Sequence, residues 1–254
     1  MKVAITHVPS FHLAHCELTY VSRKAIDLNR ALEQHDAYCG VLSRCGCKVV
    51  RLDANCELPD STFVEDTAIV LDEVAVLASL RAVSRRLELE LIESEVRHYR
   101  EVQRITLPAT LEGGDVLQIG KTILVGLSPR TNRAAVQALE AIVKDFGYCV
   151  LPVDVQGCLH FKTACTALDD CTMLVNSAWV DIEALQNFDL IAVPETEPWG
   201  ANVVRVDGEL IMAAEHVQTA EMVQKMGYRV HTADLSEFAK AEGGATCLSL
   251  IFEG

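Results

Sequence analysis

Four segments of this chain share one shape: an apolar run, a short polar turn and a second apolar run. Residues 68–77 turn at Asp72-Glu73, residues 116–125 at Gly120-Lys121, residues 167–175 at Asp169-Asp170, and residues 203–212 at Asp207-Gly208. Each reads as a β-hairpin, because short loops of Asp, Gly and similar residues supply the turn that twisted strands need. Hairpin strands are antiparallel. That restricts the fold more than any other feature. A doubly wound sheet, the plain competitor for a chain that alternates strands and helices, is built from parallel strands joined by crossovers. No Gly-rich nucleotide loop follows any strand either.

Helical patterns fill the gaps. Leu87, Leu91, Ile92 and Val96 share one face, as do Val136, Leu139, Val143 and Phe146. Gly46, Gly147 and Gly227 each end a helix and open a strand, Gly being the residue that takes the left-handed position after a helix at least cost. The repeating unit is therefore strand–strand–helix–strand, about a fifth of the chain. The first unit shows one leading strand, Lys2 to Val8, and the segment Thr246 to Phe252 can supply the other. That closes a ring of five units about an axis, with residues 1–254 as a single domain.

Composition narrows the class. The chain has 254 residues, half of them apolar, and a net charge of −14. A large core is affordable, and disorder is excluded. The charge argues against nucleic acid and anionic membranes as partners. There is no apolar run long enough for a membrane helix, and because the chain turns polar at once after Met1 no secretory leader is expected there. None of the ten cysteines lies in a C-x-x-C pair or at zinc-finger spacing. They are expected to be reduced thiols in the cytoplasm, most of them small core residues.

The polar residues that stand out sit just before the hairpins: Glu65-Asp66, Glu112-Gly113-Gly114-Asp115, His160 and Asn202. In a ring, equivalent positions converge on the axis. Asp66, Glu112 and His160 are thus expected around one central hole, with Cys247 on the closing strand. A thiolate attacks electrophilic carbon, and an imidazole protonates a leaving amine and then deprotonates water. With neither carboxylate needed to orient the imidazole, both are free to grip a planar guanidinium. Taken singly, each residue is more commonly structural: a core cysteine, a turn, a satisfied histidine, a surface acid. Their shared position in the repeat shifts the balance.

In order and spacing, several motifs resemble the dimethylarginine dimethylaminohydrolases of the guanidine-modifying superfamily. They are Leu32-Glu33-Gln34-His35, Leu58 to Asp66, Ser84-Arg85-Arg86, Glu112 to Val116, Val125 to Asn132, Leu159 to Lys162, and Gly243 to Cys247. The resemblance implies a five-bladed α/β-propeller, the pentein fold. It implies Cys247 as nucleophile, His160 as general acid and base, and Asp66 and Glu112 as grips on the guanidinium. Arg85 and Arg130 would hold the substrate α-carboxylate, and Asp60 and the Leu18 backbone the α-amino end. Glu65 and the Ala241 backbone would complete the pocket, and Pro9 to Val21 would form a lid. The stretch Ser79 to Ser84 lacks the Arg-Pro-Gly common in the family. No metal or organic cofactor is implied, and the oligomer suggested is a homodimer.

The expected activity is hydrolysis of Nω-methylated L-arginine to citrulline and a methylamine through a covalent thiouronium. The same chemistry on free arginine or another guanidino compound is the nearest rival. A guanidino-ligand sensor is the rival from another class, disfavoured because binding alone needs no thiol.

Overall fold

The second strand of each hairpin is largely apolar, Val74–Leu77 wholly so, and has little of either face to give to water. In the computed structural model, which describes residues 1–254, this is resolved by burying both faces. Fifteen strands form five three-stranded sheets. The first blade pairs Leu250–Glu253, Lys2–His7 and Lys48–Leu52; the second, Ala68–Val70, Val74–Leu77 and Glu101–Arg104. The third pairs Val116–Ile119, Thr122–Leu127 and Cys149–Asp154; the fourth, Cys165–Ala167, Thr172–Val175 and Asp189–Ala192. The fifth pairs Val203–Val206, Glu209–Ala213 and Arg229–Ala233. In every blade the leading strand runs antiparallel to the middle one, and the middle one parallel to the third.

Side chains alternate across a strand. In Val74–Leu77, Val74 and Val76 pack towards blade three, while Ala75 and Leu77 pack towards blade one. In Glu209–Ala213, Leu210 and Met212 face blade four, and Ile211 and Ala213 face blade one. Five apolar clusters result, each between two neighbouring blades, and the last joins blade five to blade one. The ring is closed by its own core. Removing one of these side chains down to Ala costs about 2–5 kcal/mol.

Crossover helices Leu28–Arg44, Glu88–Val96, Arg133–Val143 and Val217–Lys225 serve four blades. Asp27 and Asn132 cap two of them by accepting the backbone N–H of Arg30 and Ala135. Gly46, Gly147 and Gly227 lie at φ +92°, +80° and +99°, as their helix-ending position requires. At Asp207-Gly208 both residues have positive φ, the geometry of a tight hairpin.

The structure departs from the sequence reading in several places. Blade four has only a single helical turn, Ile182–Leu185, where a helix was expected. Its hairpin loop takes three residues, because Asp169 accepts the N–H of both Cys171 and Thr172. Leu87 and Phe146 are exposed, lying just outside the helices whose faces they were assigned to. Cys247 precedes the closing strand instead of lying on it. All ten cysteines are free thiols, and no helix is long and apolar enough to cross a membrane.

Candidate active site

In four blades the leading strand is preceded by one helical turn: Val64–Thr67, Gly113–Asp115, Phe161–Ala164 and Thr246–Leu248. These turns stack against one another near the axis. Two glycines let them approach. A Cβ on Gly113 would lie 2.0 Å from the Glu65 carbonyl oxygen, and one on Gly114 would lie 2.6 Å from His160 Nδ1.

The result is a small cavity lined by Cys247, His160, Glu112, Asp60, Asp66, Arg85, Arg130 and Ala241, together with Glu17 and Glu242. Two expected residues are not on its lining. Glu65 sits behind it, and Leu18 lies in the covering segment with its carbonyl making no hydrogen bond.

His160 Nε2 lies 2.8 Å from Glu112 Oε2, and His160 Nδ1 lies 3.7 Å from Asp66 Oδ1. Glu112 therefore does orient the imidazole, contrary to the expectation that neither carboxylate was needed for it. Burial alone would lower the His160 pKa. Asp66, Asp115 and Glu112 outweigh it and raise it to about 9, so the ring is an imidazolium at neutral pH. Asp66 is pushed the other way. Despite burial, His160 and Arg85 hold it down at about 2. Burial, with Glu65 and Asp66 adding negative charge, pushes the Cys247 thiol up to about 12. Its Sγ accepts the Gly244 N–H at 3.3 Å.

The two arginines differ. Arg85 is buried and committed within the protein. Nη1 donates to Asp66 at 2.7 Å, Nε and Nη2 fork onto Glu88, and Nη2 also reaches the Phe63 carbonyl. Arg130 is looser, with Nη1 at 3.5 Å from Glu112 and Nη2 at 3.2 Å from Thr19 Oγ1. Asp60 accepts the Glu17 N–H, and burial raises its carboxyl to about 6.

Several supporting residues carried no role in the sequence reading. Asp115 accepts the Phe161 N–H at 2.8 Å and so fixes the turn that begins at His160. Asn202, from the fifth blade, donates to Lys162 O and Thr246 Oγ1 and accepts the Thr246 N–H. Thr246 in turn donates to Glu65, whose other oxygen meets Lys162 Nζ at 2.6 Å. Asn202 had a signal, since it stands where the other blades carry their axial groups. Glu88 had none.

The Glu65–Lys162 pair is also a partition. On its far side a second cavity of about 260 Å³ is lined by all five leading strands. Consecutive residues face opposite ways across it, Glu65 against Asp66 and Thr246 against Cys247.

Asp66, Glu112 and His160 bring three ligand atoms within 4.8 Å of one another, a set that could hold a divalent cation. The same carboxylates also suit a planar cation, as their contacts with two arginines show.

Residues 18–179 match the family model described as eukaryotic N,N dimethylarginine dimethylhydrolase. The dimethylarginine dimethylaminohydrolase of Streptomyces coelicolor is 40% identical, over 98% of this chain and 96% of that one. The solved structure of the Pseudomonas aeruginosa enzyme, a cysteine-to-serine mutant complexed with citrulline, superposes with a TM-score of 0.93 at 34% identity, covering 98% of each chain. A second dimethylaminohydrolase structure, an adduct with S-methyl-L-thiocitrulline, gives 0.94 at 34% identity over 99% of this chain and 100% of that one. The five blades are those of the pentein α/β-propeller, and the chain belongs to the dimethylarginine dimethylaminohydrolase family.

Proposed function

We propose that this chain hydrolyses Nω-methylated L-arginine to L-citrulline and a methylamine, with Cys247, His160, Asp66 and Glu112 acting on the guanidinium. The observation that carries it is one cavity where a thiol, an imidazolium and two carboxylates meet.

At rest the thiol is neutral and the imidazole charged. A guanidinium entering between Asp66 and Glu112 brings positive charge beside Cys247 and lowers its pKa, and the thiol proton leaves to solvent. The thiolate sulfur then bonds to the guanidinium carbon. His160 gives its proton to the departing amine nitrogen. Now neutral, the imidazole takes a proton from water, whose oxygen adds to the thiouronium carbon. Collapse expels the thiolate and leaves citrulline. Because the guanidinium is resonance-stabilised, holding it against the sulfur is the main task.

Within the protein, Arg85 and Arg130 supply the positive charge that Asp66 and Glu112 would take from substrate. We infer that Arg130, the looser of the two, turns to the substrate α-carboxylate. Asp60 and the free Leu18 carbonyl serve the ammonium end, and Ala241 walls the pocket. Glu65 acts from behind, holding the nucleophile turn through Thr246.

We propose the cytoplasm as the compartment, which ten free thiols support, and residues 1–254 as one domain, which the single ring of five blades supports. A homodimer is proposed from the family alone, for sedimentation to test. Citrulline and amine release from dimethylarginine, monomethylarginine, arginine and agmatine tests the activity. Turnover of arginine ahead of the methylated forms would make this a deiminase, and binding without turnover would make it a sensor.

A further inference from the structure

The chain from Glu17 to Ile26 belongs to no sheet or helix; its Glu17 end lines the catalytic cavity, and Tyr20, Val21 and Lys24 line a neighbouring one. None of its backbone groups takes part in a backbone–backbone hydrogen bond. It is held by side chains instead. The Glu17 N–H goes to Asp60, while the N–H groups of Thr19 and Tyr20 go to the two oxygens of one carboxylate, Glu242, at 2.5 Å each. Ser84 and Arg130 add contacts to the Glu17 and Thr19 side chains.

Glu242 is unusual in its own backbone. It has φ +60°, one of only two non-glycine residues in the chain at positive φ. A Glu in the left-handed region is strained where Gly would not be, yet Gly243 follows immediately. Glu242 also stands two residues before Gly244, whose N–H meets the Cys247 sulfur. A segment held by so few hydrogen bonds opens at low cost compared with the sheets around it. The cavity beneath it is only about 20 Å³, far too small for an amino-acid substrate, so binding requires the walls to give way.

We propose that Glu242 is a positioning residue, a latch that clamps the Thr19 and Tyr20 amides and so closes the segment Glu17–Tyr20 over substrate from the chain that leads into the nucleophile turn. Asp60 clamps the same segment from the opposite wall, which leaves Glu242 as the contact that ties closure to the Cys247 side. The kinetic part of this inference rests on the proposed activity. The closure part does not.

The test uses the full chain with Glu242→Gln and Glu242→Gly. Gln keeps the side-chain length but has one accepting oxygen, and Gly suits the backbone but has no carboxylate. Hydrogen exchange at Thr19 and Tyr20, read without substrate, should speed up about tenfold or more in both variants, with exchange in the five sheets unchanged. The KM for methylated arginine should rise about tenfold in both, with a smaller change in kcat. Unchanged exchange at the two amides overturns the latch, as does release in one variant only. Faster exchange with an unaltered KM overturns its role in closing over substrate. Should no substrate be turned over at all, the exchange measurement still decides for or against the latch, and only the proposed activity fails.

Discussion

His160 and Glu112 come from neighbouring blades and meet Nε2 to Oε2 at 2.8 Å, with side chains 3% and 0% exposed. The carboxylate both points the imidazole and helps to keep its proton on. In the proposed mechanism the pair would thus enter the reaction as an acid already loaded, with its first proton transfer towards the leaving amine.

Exchanging Glu112 for Gln tests that arrangement through stability as well as rate. The His160 pKa of about 9 lies above its ordinary 6.5, so the imidazolium contributes stability that is fully present below about pH 6.5 and is lost as pH rises through about 9. At 1.36 kcal/mol per unit the loss is about 3 kcal/mol. Glu112→Gln should shrink that loss and cut kcat about 10²–10⁴-fold. Urea unfolding of both proteins near pH 6 and near pH 9.5 measures it, and equal pH dependence in the two would refute the assignment.

Cys247 should be a quiet thiol in the free protein. With its pKa pushed up to about 12, alkylation by iodoacetamide should rise with pH without a plateau up to about pH 10. A plateau beginning near neutrality would show a resting thiolate–imidazolium pair instead. Cys247→Ser should lose at least about 10³-fold in kcat, since a hydroxyl is a far weaker nucleophile with no dedicated base, and should keep its unfolding midpoint.

Lys162→Met strands the Glu65 carboxylate in a buried site. It should destabilise the protein by about 3–5 kcal/mol, and adding Glu65→Gln should recover most of that. Denaturant titrations of the single and double variants check it; a double variant as unstable as the single would count against the partition's being an ion pair of this kind.

The two arginines should separate by what they lose. Arg130→Ala should raise KM strongly with little change in stability, because its contacts are long and partly exposed. Arg85→Ala should lower stability as well, since Glu88 is left buried and unpaired and Asp66 loses one of its two cationic neighbours. Agmatine, which has no carboxylate for Arg130, should be a poor substrate. Efficient agmatine turnover would point to a decarboxylated guanidine as the true substrate.

Added Zn²⁺ should inhibit in competition with substrate, and exhaustive chelation should leave the rate unchanged or raise it. Asp66, Glu112 and His160 can close on a cation, yet a metal there would occupy the carboxylates meant for the guanidinium. Activity lost on chelation and restored by one metal would replace the thiol mechanism with metal-activated water.

What the sequence revealed follows from range. Hairpin turns such as Asp207-Gly208 and helix stops such as Gly147 are local choices of backbone angle, and residue type alone reports them. The convergence of Asp66, Glu112 and His160 followed from repeat symmetry. Blade four's missing helix was hidden because Ile182–Leu185 is too short for periodicity to register. The pairing of Glu112 with His160 depends on how two turns abut, set by a backbone approach at Gly113 and Gly114 that no spacing encodes. Glu88 lay hidden for a related reason: its partner Arg85 is what draws it inward, and an acid at a helix start ordinarily faces solvent.

The strand Leu250–Glu253 pairs with Lys2–His7 across 251 residues of sequence, while the other blades are each built from one contiguous stretch. During synthesis, four blades can therefore assemble in order as they emerge, but the first stays short of a strand until Leu250–Glu253 is made. The nucleophile turn lies directly before that strand. On the proposed mechanism activity cannot precede the closing of the circle, and a chain ended before Cys247 would hold the other elements of the site and remain chemically silent. The appearance of the proposed catalysis would then time the longest-range pairing of the fold.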